Sequence, residues 1–165
     1  MEIRILKQHE LEIIKDLAYR IWPLTYGNII SQEQMNYMLN WMYSLETLDA
    51  NFKNNHTYFC ISSNGVEVGF LDVEIDHPEV GNMKIHKIYV LHEEHGKGLG
   101  YNLMLKARDF AKKNKMNTMS LQVNRNNPAI EFYKRFGFEI IDEQDFEIGN
   151  GFYMNDFVMS YKIKV

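Results

Sequence analysis

The sequence predicts an α/β fold: a mixed central sheet of about seven strands with helices on both faces. Three observations carry this reading. Strand-like and helix-like periodicities alternate along the chain, no internal repeat or Pro/Gly/Ser linker divides it, and 45% of its 165 residues are hydrophobic. A chain of this size has enough apolar surface for one core, so residues 1–165 are expected to form a single domain.

The elements follow in order. Ile3 and Ile5 alternate with polar neighbours over residues 2–6, a short strand. Leu11, Ile14, Leu17, Ala18 and Ile21 repeat at helical spacing, and Pro23 disfavours helix at Trp22. Ser31 is placed to cap a second helix carrying Met35, Met38, Leu39 and Met42, with Gln34 available for a capping box. Residues 57–62 are β-rich and Ser63-Asn64-Gly65 is a hairpin signal. Val66, Val68 and Phe70 alternate, then Leu71, Val73 and Ile75 take the other parity, which suggests a bulge or a twist. Residues 77–82 read as a turn and Met83–Val90 as a strand. Helices follow near 98–114 and 127–136, with a strand at 118–123 between them. Residues 138–147 and 152–163 form a last hairpin around Gly149-Asn150-Gly151.

Charge and cysteine content narrow the function. The 22 acidic and 18 basic residues give a net charge of −4, without the basic surplus that nucleic-acid domains usually carry. The lone cysteine, Cys60, lies in an apolar run and reads as a buried, inert thiol; one cysteine makes no intramolecular disulfide. The start, Met-Glu-Ile-Arg-Ile, has no apolar signal region, and no run reaches membrane-spanning length. The expectation is a cytoplasmic protein with no nucleic-acid or membrane partner.

His95-Gly96-Lys97-Gly98-Leu99-Gly100 stands between a strand and an amphipathic helix. Glycines permit tight turns and close backbone approach, and a helix N-terminus adds a positive dipole end; together they suit a phosphate. The loop matches neither common nucleotide fingerprint. The third glycine comes one residue early for G-x-G-x-x-G, and Lys97 precedes Gly98 where G-x-x-x-x-G-K-[ST] needs Ser or Thr. His92-Glu93-Glu94-His95 has its histidines three apart, where H-E-x-x-H needs four, so no metal site is expected.

The stretch Lys87-Ile88-Tyr89-Val90-Leu91-His92-Glu93-Glu94-His95-Gly96-Lys97-Gly98-Leu99-Gly100 resembles the coenzyme A motif of the GNAT acetyltransferase superfamily. Residues Val123 to Phe138 resemble the family's second pattern, with Asn126, Ala129, Phe132-Tyr133 and Gly137-Phe138 at its marked positions. The order of elements also fits, and the chain looks most similar to bacterial diamine and polyamine acetyltransferases. The family usually has Arg or Gln where His95 stands and often Pro where His92 stands; His95 still offers its backbone N–H.

The resemblance implies an acetyl-coenzyme A-dependent N-acetyltransferase of the GNAT fold. It implies that Ile88, Tyr89 and Val90 pair with the pantetheine arm like an added strand, one backbone N–H polarising the thioester carbonyl. It implies that His95, Gly96, Lys97, Gly98, Leu99 and Gly100 hold the pyrophosphate, that Asn126 contacts the pantetheine, and that Tyr133 protonates the leaving thiolate. The acceptor would be a primary amine on a small molecule, a polyamine among them. A protein N-terminal or lysine acetyltransferase and a non-catalytic coenzyme A sensor are the alternatives, and a homodimer is an open assembly.

An alkyl amine with a pKa near 10.4 is almost wholly protonated at neutral pH, so a base must free it for attack. His86, two residues before Ile88 and read as on the same strand face, is the first candidate, and Glu74 on the preceding strand is the second. Trp22, Tyr26 and Tyr37 are candidates for the acceptor pocket, and Asp142 or Asp156 for attracting a cation.

Overall fold

The structure, a computed structural model, describes residues 1–164. Its strands are β1 (Glu2–Ile5), β2 (His56–Ser63), β3 (Val66–Glu74), β4 (Asn82–Val90), β5 (Thr118–Asn124), β6 (Glu139–Gly149) and β7 (Phe152–Lys162). Its helices are α1 (Glu12–Tyr26), α2 (Gln32–Tyr43), α3 (Leu45–Lys53), α4 (Leu99–Lys113) and α5 (Ala129–Phe136). The strands form one seven-stranded sheet in the order β1-β2-β3-β4-β5-β7-β6. All neighbours are antiparallel except β4 and β5, which are parallel and linked through α4.

The two faces of the sheet divide the helices. Phe70 and Tyr89, paired across β3 and β4, pack against Tyr43 and Trp22 of α2 and α1. Phe59 and Leu71, of the other parity, face the opposite side, where Phe59 meets Phe110 of α4 edge-on. The centre of β3 is therefore buried on both faces, from Val68 to Val73. This explains the change of parity in its apolar residues. Two bulges flank the stretch. Val68 is passed over in the β2–β3 ladder, and His86 in the β3–β4 ladder, where Asp72 pairs with Lys87 but Val73 pairs with Ile85.

Three local expectations need correction. Helix α1 continues through Pro23 to Tyr26. A proline this near a helix C-terminus removes one backbone bond, while the turn it sits in buries Ile21, Trp22 and Tyr26. Ser31 accepts from the Gln34 backbone N–H at 3.1 Å as expected, but the Gln34 side chain donates to the Tyr153 carbonyl, so the reciprocal half of the box is absent. Helix α3 was not expected. Ser44 caps it through the Thr47 N–H at 3.2 Å, and its fully buried residue, Leu48, is too little apolar signal to show a period.

Among the described residues, no helix is long and apolar enough to cross a membrane.

Candidate active site

The parallel β4–β5 ladder runs only from Asn82–Thr118 to Ile85–Leu121. Beyond it the two strands separate, and among the described residues β4 from His86 to Val90 has no ladder partner on its β5 side. β5 remains fully paired to β7 on its other edge. Buried backbone groups seek partners, so this opening presents a half-finished sheet to whatever occupies it. Ile88, Tyr89 and Val90 all line the cleft that forms there. Its volume is about 1260 Å³. That exceeds the roughly 300–1,000 Å³ typical of a pocket for one small ligand, which leaves room for two reactants.

The glycine loop closes one end of the cleft. Gly96 and Gly98 have φ of 81° and 77°, the left-handed region that side chains resist. Gly98 is the N-cap of α4, whose first turn holds no acidic residue. The early N–H groups of a 15-residue helix and its dipole thus face the cleft unopposed. His95, Gly96, Gly98, Leu99 and Gly100 line it. The His95 ring turns away from that end and bonds the Val90 carbonyl at 2.9 Å, fastening the loop to the tip of β4. Thr25 of α1 similarly meets His92 Nε2 at 3.0 Å. Lys97 is exposed, pairs with Glu94 at 2.8 Å and does not line the cleft.

Tyr133 of α5 lines the same cleft, its ring packed edge-on against Phe132 and Phe138. It is only 7% exposed. Burial, with Tyr26 beside it, pushes its phenol well above the usual value, so it keeps a proton to give. Its hydroxyl has no hydrogen-bond partner among the described residues. Asn126 is exposed and does not line the cleft; Asn124 and Asn127 do. Asn127 accepts from the Ala129 N–H at 2.9 Å and reaches toward the Tyr26 hydroxyl at 3.5 Å.

The floor of the cleft is ionisable. His86 Nε2 lies 2.8 Å from Glu74 Oε2. Both residues are on the face shared by Asp72 and Lys87, whereas Ile88 pairs with Leu71 on the other face. The expectation that His86 and Ile88 share a face is therefore wrong: the bulge at His86 breaks the alternation. Burial pulls His86 down to about 4, against the opposing effect of Asp72, so it is neutral at physiological pH. Beneath it lies a group that sequence reasoning missed. Asp72, fully buried, accepts from Lys87 Nζ at 2.9 Å and meets His56 Nδ1 at 2.8 Å. Burial acts to raise its carboxyl, but Lys87 and His56 overcome it and hold it at about 2.

The remaining candidates separate cleanly. Asp156 lines the cleft, is 5% exposed and forms no hydrogen bond among the described residues; burial pushes it up to about 6 against the pull of Arg125 and Lys84. Asp142 is exposed on β6 and does not line the cleft. Trp22 and Tyr26 line it. Tyr37 instead donates to the Ile148 carbonyl at 2.6 Å and ties α2 to the β6–β7 hairpin. Cys60 is buried and its thiol is raised to about 12, which leaves it inert.

The chain matches the model of the Acetyltransferase (GNAT) family over residues 15–138, and it belongs to that family. It is 26% identical over 168 residues to the spermidine N(1)-acetyltransferase of Thermoplasma acidophilum, covering 98% of this chain and 97% of that protein. An uncharacterized N-acetyltransferase of Methanocaldococcus jannaschii is 39% identical over 89 residues, a match spanning 50% of this chain and 38% of that protein. The crystal structure of PaiA N-acetyltransferase from Thermoplasma acidophilum in complex with coenzyme A superimposes with a TM-score of 0.80 at 26% identity, covering 98% and 99% of the two chains. The protein is an acetyl-coenzyme A-dependent acetyltransferase.

A side chain at position 98 would strain the left-handed cap and intrude on the N–H groups of the first helical turn. Gly98→Val is expected to weaken acetyl-coenzyme A binding by at least tenfold in calorimetry, and the strain of a β-branched residue in a left-handed conformation should lower the melting temperature by a few degrees. Wild-type affinity in that variant would remove the loop from the binding site.

Proposed function

We propose that this acetyltransferase modifies a primary amine of a small cationic molecule, with polyamines as the substrate class. The observation that carries the reading is the convergence of Tyr133, the His86–Glu74 pair and the unpartnered carboxyl of Asp156 on one cleft. The similarity to a spermidine acetyltransferase along nearly the whole chain supports the same class.

The roles follow from the chemistry. Backbone groups of Ile88–Val90 take the pantetheine as an added strand, a mode that gives affinity through main-chain bonds. A β4 N–H stabilises the oxyanion as the amine attacks the thioester carbon. The neutral His86, bonded to Glu74, removes the proton from the acceptor ammonium. The carbon–sulfur bond then breaks, Tyr133 gives its proton to the thiolate, and the second proton shed by the new amide nitrogen returns to the Tyr133 phenolate, so the net release is the one proton taken by His86. Asp156 attracts the cationic acceptor into the cleft.

Tyr133→Phe keeps the ring and removes only the hydroxyl. It should lower kcat by roughly 10²- to 10⁴-fold, the usual loss for a general acid, while cofactor affinity and melting temperature hold. Thiol release measured over a panel of amines reads this out. An unchanged kcat removes Tyr133 from the reaction, and turnover of neutral or acidic amines with none on spermidine removes the polyamine class.

Asp156 gives a prediction in which function and stability move in opposite directions. Its carboxyl is near the ordinary 3.8 unfolded and about 6 folded. The native state therefore binds the proton more tightly, and stability falls as pH rises from about 4 to about 6. Above that range the cost is fully present. Asp156→Asn should raise the melting temperature relative to wild type at pH 8, but not at pH 4, and raise KM for a diamine severalfold at both low and moderate salt. A variant less stable at pH 8, with unchanged KM, would contradict both roles.

A further inference from the structure

His56 of β2 stands between two carboxylates. Its Nδ1 is 2.8 Å from Asp72 Oδ1 and its Nε2 is 3.3 Å from Glu74 Oε2. An ionised carboxylate only accepts hydrogen bonds. Asp72 is held ionised by Lys87, so His56 Nδ1 carries a hydrogen. A neutral imidazole then directs the Nε2 lone pair at a carboxylate that also has only lone pairs. The approach becomes attractive when one proton is added, on His56 or on Glu74.

The same oxygen of Glu74 receives the Nε2–H of His86 at 2.8 Å, which leaves His86 Nδ1 as a free lone pair on a cleft-lining residue. The two imidazoles stack at 4.3 Å with planes 19° apart. His56, Glu74 and His86 offer ligand atoms within 4.8 Å of one another, as a metal site would. Yet an imidazole binds a metal in its own ring plane, and two stacked, nearly parallel planes share no such point between the rings. A proton on the His86–Glu74 line fits this arrangement as it stands, and the longer 3.3 Å His56–Glu74 approach, which lies off the hydrogen-bonding direction, closes with a small turn of the Glu74 carboxylate.

We propose that His86, Glu74 and His56 form a proton relay that empties the acceptor amine, with His56 as a positioning residue that holds the proton and Asp72 as its anchor. The proposal rests on the acetyltransferase reading above and extends its base inward. His86 Nδ1 takes a proton from the ammonium and its Nε2–H passes to Glu74 Oε2. Glu74 passes that proton to His56 Nε2, and His56 keeps its Nδ1–H on Asp72. The freed amine attacks the thioester. After the product leaves, the proton retraces the same path and His86 Nδ1 gives it to water, so each cycle releases one proton. The other ionisable groups around the relay are Tyr58 beside Asp72, Tyr43 of α2, whose ring lies 5.4 Å from Lys87 Nζ, Lys84 and Lys87 from β4, Asp156 of β7 beyond Lys84, and His77, whose Nδ1 is 3.5 Å from Glu74 Oε1 on the solvent side. The cleft-lining residues of α3, Thr47 and Asn51, are uncharged.

Two measurements test it. Nitrogen-15 NMR of the wild-type histidine side chains is expected to show Nδ1–H on His56 at every pH, Nε2–H on a neutral His86, and a second proton on His56 that Glu74→Gln displaces to lower pH by at least one unit. A His56 with its hydrogen on Nε2 alone, or one indifferent to Glu74→Gln, overturns the relay whatever the activity. In kinetics, His56→Gln should cut kcat/KM at pH 7 by tenfold or more and move the acid limb of the profile at least one unit down, since Glu74 then holds the proton. Acetyl-coenzyme A affinity should stay at the wild-type level. An unmoved limb means that His56 only pins the strands. A wild-type protein that transfers acetyl to no amine defeats the acetyltransferase reading instead, and the NMR result still decides the relay.

Discussion

The early end of the β4–β5 ladder is the constraint on which the rest depends. The two strands pair over four residues and then part, with the bulge at His86 standing where the ladder stops. A parallel sheet continued to Val90 would satisfy the backbone and leave no cleft. The opening instead presents main-chain groups in a preset extended geometry, which is what an elongated amide-containing ligand can match. The glycine loop lies at the tip of β4 because the same strand leads into it. His95 and Thr25 then hold that loop to the strand and to α1. In the proposed binding mode, cofactor arm, phosphate end and reacting carbon align along one strand and the turn that follows it.

The same bulge sets the chemistry on the other side. By adding a residue to β4 it brings His86 and Lys87 to the Asp72 and Glu74 face together. A buried Asp72 without Lys87 and His56 would be costly; paired on both oxygens, it is a fixed negative charge beneath a neutral base. Trp22, Tyr26, Tyr43 and Tyr89 pack on one another beside that floor, and the Tyr26 and Tyr89 hydroxyls satisfy one another at 2.7 Å. Asp156 forms no hydrogen bond there among the described residues, and its carboxyl carries a destabilising cost that a bound cation would offset.

Much of this was legible in the sequence because it depends on local periodicity. The seven strands, the helix behind the glycines and the aromatic face of α5 follow from spacing alone, and the tight turn before α4 from its three glycines. Other features depend on what lies across the sheet. His56 lies 16 residues from Asp72 and only the antiparallel register of β2 and β3 brings them together. The face of His86 could not be read either, since a bulge reverses parity without any special residue type. Pro23 failed as a stop signal because tertiary burial of Trp22 and Tyr26 outweighs one lost backbone bond. Asn126 and Lys97 sit on motif positions yet face solvent, while Asn127, one residue on, is the buried one.

Amide hydrogen exchange with and without acetyl-coenzyme A tests the central claim most directly, because it reads the backbone of the opening itself. The account predicts that the ligand slows exchange at residues 86–90 and at the loop and first helical turn, 96–101, and leaves the β2–β3 ladder as it was. Protection confined to the β6–β7 hairpin or the α2–α3 region, with 86–90 unchanged, would contradict it.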